Sequence, residues 1–143
     1  MNIKLFELKK LQTYFPAKKI TGTQDAANFI RQFWADDIEV FESFYILMLN
    51  RSGITTAYAK ISQGGIVGTV VDVRLICKYA IESLCTSVIV AHNHPSGNKL
   101  TSDQDKAITA KIKNALTILD IELLDHIILT KSDYYSFAVE GAL

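Results

Sequence analysis

An apolar run that ends in two closely spaced histidines constrains the fold more than any other feature. Residues 86–91 read Thr-Ser-Val-Ile-Val-Ala and predict a buried strand. His92 and His94 follow, and a proline and a glycine then break the extended chain. Because residues two apart on a strand project to the same side, both imidazoles should leave the strand end in one direction. The pair is a candidate metal site, although this spacing by itself is a weak signal.

A helix is predicted over 103–119, where apolar side chains recur on one face. Ser102 and Asp105 stand at its start with the spacing of a capping box. The same helix start would bring Asp105 back toward the histidines. Two histidines and one carboxylate suit a divalent metal of the zinc type with one coordination position open. Capping and metal binding are compatible, because a cap fixes the carboxylate in space.

A zinc hydrolase also needs a base for a metal-bound water, whose pKa zinc lowers toward ~7. Composition does not choose among the candidates, which are Glu39, Glu42, Glu82, Glu122 and Glu140. Glu42 is singled out physically, because it lies at the start of an apolar strand where a carboxylate needs a polar partner. A solvated glutamate at the strand edge is the open alternative. His126, in an apolar segment, is interpreted as a hydrogen-bonded core histidine rather than a fourth ligand.

Helix and strand signals alternate along the rest of the chain. The patterns predict helices over 24–35 and 72–84, and strands over 41–50, 54–61, 67–71, 86–92, 121–130 and 134–139. The expected class is α/β, with a mixed sheet and helices on both faces. Residues 1–17 are predicted to form an N-terminal arm and residues 18–143 a single domain.

Charge gives no support for a nucleic-acid partner, because 15 Lys and Arg residues balance 15 Asp and Glu residues. The lysines near the N-terminus are interpreted as a solvated face: Lys4, Lys9, Lys10, Lys18 and Lys19. No apolar stretch reaches the ~18 residues that a bilayer span requires, and no secretory signal pattern is present, so a cytoplasmic protein is expected. Cys77 and Cys85 would lie ~12 Å apart on a helix, too far for a disulfide.

Taken together, these motifs resemble the JAMM (MPN+) metalloprotease motif, in the variant of the bacterial RadC family. The resemblance covers about residues 18–143. It is carried by Glu42 before Ser-Phe-Tyr-Ile-Leu-Met-Leu-Asn, by His92-Asn-His-Pro-Ser-Gly97 and by Ser102-x-x-Asp105. Further matching segments are Lys19-Ile-Thr, Ile61-Ser-Gln-Gly-Gly65, Arg74, Leu124-Asp-His-Ile-Ile128 and Tyr135-Ser-Phe137.

The resemblance implies a cytidine-deaminase-like (JAB/MPN) α/β fold around one zinc ion. By position, His92, His94 and Asp105 would be the metal ligands, with a water in the fourth place. Glu42 would be the general acid and base, and Ser102 would help to stabilise the tetrahedral oxyanion. The implied reaction is hydrolysis of a peptide or isopeptide bond in a peptide or protein substrate.

A second hypothesis is a non-catalytic binding module, associated with DNA repair or DNA transactions, that keeps the fold. Proteins of the RadC family commonly carry an N-terminal helix-hairpin-helix region, for which this sequence leaves no room. The neutral net charge also gives this hypothesis no support, whereas the complete Glu/His/His/Ser/Asp set favours the hydrolase. Apolar strand edges such as residues 67–71 could pair two copies into a dimer.

Overall fold

The computed structural model describes residues 1–5, 10–34, 36–65 and 69–143. Within them, three helices and five strands follow one another: α1 (Thr23–Arg31), β1 (Ser43–Leu49), β2 (Thr55–Gln63), α2 (Val73–Glu82), β3 (Ser87–Asn93), α3 (Asp103–Ile118), β4 (Glu122–Leu129) and β5 (Tyr134–Ser136). The strands form one sheet in the order β2-β1-β3-β4-β5. β3 and β4 pair in parallel and the other neighbours are antiparallel. The predicted α/β class with a mixed sheet is confirmed.

The central strands β1 and β3 are buried on both faces along their whole length. Alternate side chains therefore enter two separate cores. On one face, Phe44 and Val90 pack with α2 and α3, while on the other Leu47 and Ile89 pack with α1. Helices lie on both faces of the sheet, as predicted.

The first helix is shorter than its predicted range of 24–35, since α1 ends at Arg31. Beyond it the backbone N–H groups of Gln32 to Trp34 bond to carbonyls three residues back, which tightens the chain into turns. Phe33 stacks on Tyr58 of β2, with ring centroids 4.0 Å apart. This contact favours the turn over another turn of regular helix.

The last strand is also shorter than predicted, because β5 ends at Ser136. The buried Asp125 carboxylate accepts hydrogen bonds from Ser136 Oγ at 2.6 Å and from the backbone N–H of Ala138 at 3.0 Å. These bonds turn the chain away from the sheet where the pattern predicted more strand. The strand predicted over 67–71 is not found at residues 69–71 either, and residues 66–68 lie outside the described part of the chain.

The N-terminal segment has neither helix nor strand over residues 1–5 and 10–18. It contacts the domain at Phe15, whose ring lies against Phe33 and Tyr58, and Lys19 then forms an isolated bridge with Ile54. In the described ranges, none of the helices has the length and apolarity that crossing a membrane requires. Cys77 and Cys85 are free thiols, as predicted, and burial raises the pKa of each.

Replacing Ile112 by Ala should destabilise the fold by about 3 kcal/mol, because the side chain is fully buried between α3 and the sheet. Ile118 on the same helix is 82% exposed, so Ile118→Ala is the matched control and should change stability by less than about 0.5 kcal/mol. Urea unfolding followed by circular dichroism measures both. Equal losses in the two variants would contradict the placement of α3.

Candidate metal centre

The end of β3 presents two imidazoles on one side of the sheet. His92 is buried within the strand, and His94 extends the parallel ladder because its backbone N–H donates to Leu129 O at 2.9 Å. The extended backbone thus continues through His94. The Nε2 atoms of the two rings lie 3.0 Å apart. The predicted common direction of the histidines is confirmed.

The start of α3 brings a carboxylate to this pair. Ser102 and Asp105 form the predicted capping box: Ser102 Oγ accepts from the Asp105 N–H at 3.0 Å, and an Asp105 oxygen accepts from the Ser102 N–H at 2.8 Å. The Asp105 oxygens lie 3.1 Å from His92 Nε2 and 3.4 Å from His94 Nε2. A locally determined cap therefore fixes the carboxylate against both rings.

The arrangement fits a metal cation. His94 Nδ1 lies 2.7 Å from the Asn98 carbonyl oxygen, which can only accept, so Nδ1 carries a hydrogen and Nε2 is the nitrogen that can bind a cation. Gly97, at φ +82°, makes the turn that returns Asn98 to this ring. Ligands ~2.0–2.1 Å from a tetrahedral ion are separated by ~3.3 Å, close to the observed spacings. Two imidazole nitrogens and a carboxylate that converge in this way fit a metal cation, and without one a proton on an imidazole Nε2 can bridge to Asp105.

Glu42 approaches the same point from β1. The side chain is half-buried just before the strand, and Oε2 accepts from the Thr69 N–H at 2.9 Å. Glu42, His92 and His94 each offer a ligand atom, and these atoms all lie within 4.8 Å of one another. The four other candidate glutamates are exposed: Glu39, Glu82, Glu122 and Glu140. The structure brings only Glu42 of these five to the histidines.

A residue that the sequence reasoning missed holds Glu42 in place. Asn93, between the two histidines, is fully buried on the opposite side of the strand. Its side-chain amide donates to the Phe41 and Ile38 carbonyls at 2.8 and 2.6 Å and accepts from the Ser43 N–H at 2.7 Å. Asn93 therefore clamps the backbone on both sides of Glu42. Its position between two candidate ligands was the only sequence signal for it.

His126 is a core histidine, as predicted. It is fully buried on β4, with its ring stacked on Phe137 at a centroid distance of 4.7 Å. Nε2 lies 2.7 Å from His92 Nδ1, and Nδ1 lies 2.5 Å from Thr109 Oγ1 of α3. Both ring nitrogens of His126 are already hydrogen-bonded, one to His92 Nδ1 and the other to Thr109 Oγ1, so His126 is not placed as a ligand. Thr109 is a second residue that the sequence reasoning missed.

Burial and contact shift the ionisation of these groups. Burial alone would raise the pKa of Asp105, but hydrogen bonds to His92 and His94 hold that pKa well below its ordinary range. The hydrogen bond with Asp105 raises the pKa of His94. Burial holds the pKa of His126 well below its usual value. Asp105 is thus held as a carboxylate and His126 as a neutral imidazole.

The mixed sheet, the paired histidines and the capped aspartate define a JAB-type domain with a candidate metal site. The chain belongs to the family described as the RadC-like JAB domain, which it matches over residues 20–142. The resemblance in sequence motifs is therefore confirmed over most of the chain.

Curated relatives share much of this sequence. A UPF0758 protein of Flavobacterium johnsoniae is 42% identical over 139 residues, which are 97% of this chain and 60% of that protein. A UPF0758 protein of Porphyromonas gingivalis is 39% identical over 127 residues, covering 88% of this chain and 55% of that protein. A third, of Chlorobium chlorochromatii, is 34% identical and covers 99% and 64%. The chain thus spans less than two thirds of these relatives' lengths.

Removal of the Asn93 clamp should weaken the fold. Asn93→Ala leaves three backbone groups without their partner, and a loss of about 3 kcal/mol is expected from buried hydrogen-bonding groups left unpaired. Asn114→Ala, at an exposed position of α3, is the control and should stay within about 0.5 kcal/mol of the unchanged chain. Chemical denaturation measures the free energy of unfolding of both variants. An Asn93→Ala variant of unchanged stability would refute the clamp.

Proposed function

We propose that this chain is a zinc-dependent, metallopeptidase-like hydrolase of peptide or isopeptide bonds. The observation that carries the proposal is the convergence of Glu42 with His92 and His94 at the end of one central strand. Asp105 completes the set, with its oxygens 3.1 and 3.4 Å from the two imidazoles. Two nitrogens and a carboxylate are the ligand types of catalytic zinc sites that keep one position open.

The three ligands would be His92, His94 and Asp105. Zinc bound there would supply a Lewis acid that polarises a carbonyl and makes water more acidic. The Asp105 carboxylate is already oriented by the cap, and His94 by its bond to the Asn98 carbonyl. These hydrogen bonds hold the ligand atoms in place before a cation binds, so the side chains need little rearrangement when it does.

Glu42 would take a proton from the attacking water and return it to the leaving nitrogen. Its Oε2 atom accepts from the Thr69 N–H, which leaves the other carboxylate oxygen for proton transfer. Glu42 suits the role of general base because its side chain is half-buried and the backbone of both neighbouring residues is hydrogen-bonded to the Asn93 side chain. A ligand role is the alternative that the spacing of Glu42 from the histidines leaves open.

Ser102 would donate to the oxyanion of the tetrahedral intermediate. Its Oγ accepts from the Asp105 N–H, a bond that uses an oxygen lone pair and leaves the hydroxyl hydrogen available. The side chain is exposed at the start of α3, where a substrate could reach it. A donor held by its own helix cap needs little reorientation as the negative charge develops.

Zinc binding tests the ligand set. The purified chain should bind about one zinc ion, measured by elemental analysis and by competition with a chromophoric chelator. His94→Ala removes one ligand and should lower zinc affinity by at least about 100-fold. Wild-type protein that holds no zinc after reconstitution would overturn the proposal.

Replacement of the base should separate binding from hydrolysis. Glu42→Gln should keep the zinc while losing at least about 100-fold in the rate of peptide cleavage, because the amide cannot accept the proton. Cleavage is followed by mass spectrometry on a peptide library digested from a bacterial proteome. Glu39→Gln is the matched control, because Glu39 is exposed and pairs with Lys131 instead.

Three outcomes would contradict these assignments. No new peptide termini with the zinc-loaded chain would count against hydrolysis. Equal cleavage by Glu42→Gln would remove Glu42 from its role as the base. Loss of zinc in Glu42→Gln alone would make Glu42 a ligand.

A further inference from the structure

We propose that Thr109 and His126 are positioning residues that set the tautomer of His92, so that its Nε2 lone pair faces the metal position. The inference rests on the proposed metal site and goes beyond it, since neither residue touches that position. It follows from a chain of hydrogen bonds that runs from the backbone of α3 through β4 to β3. In each bond of this chain only one of the two partners can be the donor.

The chain begins at a carbonyl that cannot donate. Thr109 Oγ1 lies 2.6 Å from the backbone oxygen of Asp105, one helical turn earlier, so the single hydroxyl hydrogen points there. Toward His126 Nδ1, 2.5 Å away, the hydroxyl oxygen can then only accept. The hydrogen of the His126 ring is therefore on Nδ1.

The position of the hydrogen on His126 determines which nitrogen of His92 is the donor. His126 is completely buried, and both of its ring nitrogens contact neutral groups rather than a carboxylate, so a second ring hydrogen would carry an unpaired charge into the core. Nε2 of His126 thus presents a lone pair to His92 Nδ1, 2.7 Å away. His92 must donate from Nδ1, which leaves Nε2, the atom that faces His94 and Asp105, as the nitrogen that can bind a metal.

Aromatic packing excludes the solvent that could otherwise hydrogen-bond to the wrong tautomer of His92 or His126. Phe44 stacks on His92 with nearly parallel rings, 6° apart, and Phe137 stacks on His126 at 10°. Both imidazoles are almost inaccessible, with 3% and 0% of their surface exposed. In a dry pair an unsatisfied N–H is costly, so the donor order imposed by Thr109 persists through the chain.

Without the hydroxyl, the order should reverse. In Thr109→Val the Nδ1–H of His126 would be buried against a methyl group, which costs more than burying a lone pair there. His126 would then place its hydrogen on Nε2 and donate to His92 Nδ1. The His92 hydrogen would move to Nε2, the atom that must be unprotonated to bind a metal.

The test is zinc affinity measured by chelator competition, together with ¹⁵N NMR of the histidine rings in the full chain. Thr109→Val should lower zinc affinity by about 10- to 100-fold, the effect usual for a group that orients a metal-bound histidine. Thr109→Ser keeps the hydroxyl and should restore affinity to within about threefold of wild type. In wild type the metal-free His92 ring should carry a hydrogen on Nδ1, whereas in Thr109→Val it should carry a hydrogen on Nε2 alone.

A matched control lies two turns further along the same helix. Thr117 Oγ1 makes the same bond to a carbonyl four residues back, Lys113 O at 2.7 Å, but is exposed and has no hydrogen bond to any of the three described histidines. Thr117→Val should leave zinc affinity and ring tautomers unchanged. His126→Phe, which keeps a ring between the aromatic neighbours but removes the acceptor, is a second variant and should weaken zinc binding as Thr109→Val does.

The outcomes separate this inference from the proposed function. Wild type that binds no zinc would refute the metal site itself. Wild type that binds zinc while a folded Thr109→Val binds it within twofold of Thr117→Val would overturn only the positioning role. A wild-type His92 ring without a hydrogen on Nδ1 would overturn it as well.

Discussion

The parallel pairing of β3 with β4 is the constraint on which the rest of the site depends. Both strands of a parallel pair run in the same direction. The chain that leaves the C-terminal end of β3 must therefore return along the sheet before β4 can start beside the beginning of β3. α3 covers that distance, since its 16 residues span about 24 Å and the seven residues of β3 span about 23 Å. The helix must therefore begin beside the histidines, and its capping carboxylate lies against them for this reason.

The site is a polar cluster built into a dry core, which is stable only if its members are paired. His92, His126 and Thr109 are buried, and each is satisfied by the next along a chain that ends on a helix carbonyl. The Nε2 atom of His92 lies outside this chain of bonds and faces Asp105 and His94. One set of hydrogen bonds thus stabilises the fold and leaves the ligand atoms facing one point.

Sequence patterns predicted the elements whose signals are local and strong. The apolar periodicity of α2 and α3 and the continuous apolar runs of β1 and β3 gave the right elements with small errors at their ends. The errors at α1 and β5 have tertiary causes: Phe33 leaves the helix to stack on Tyr58, and Asp125 captures Ser136 and the chain after it. Neither contact has a signal in its own segment.

The sequence by itself determined the parts of the site that depend on short spacings. Residues two apart on a strand share a side, which pairs His92 with His94, and residues three apart at a helix start form the cap that fixes Asp105. Only the tertiary structure decided which glutamate joins them and which side chains orient them. The Asn93 clamp on Glu42 spans about 50 residues of chain, and the bond between His92 and His126 spans 34. Local geometry is fixed by backbone stereochemistry, whereas these contacts exist only once the strands have paired and α3 has packed on them.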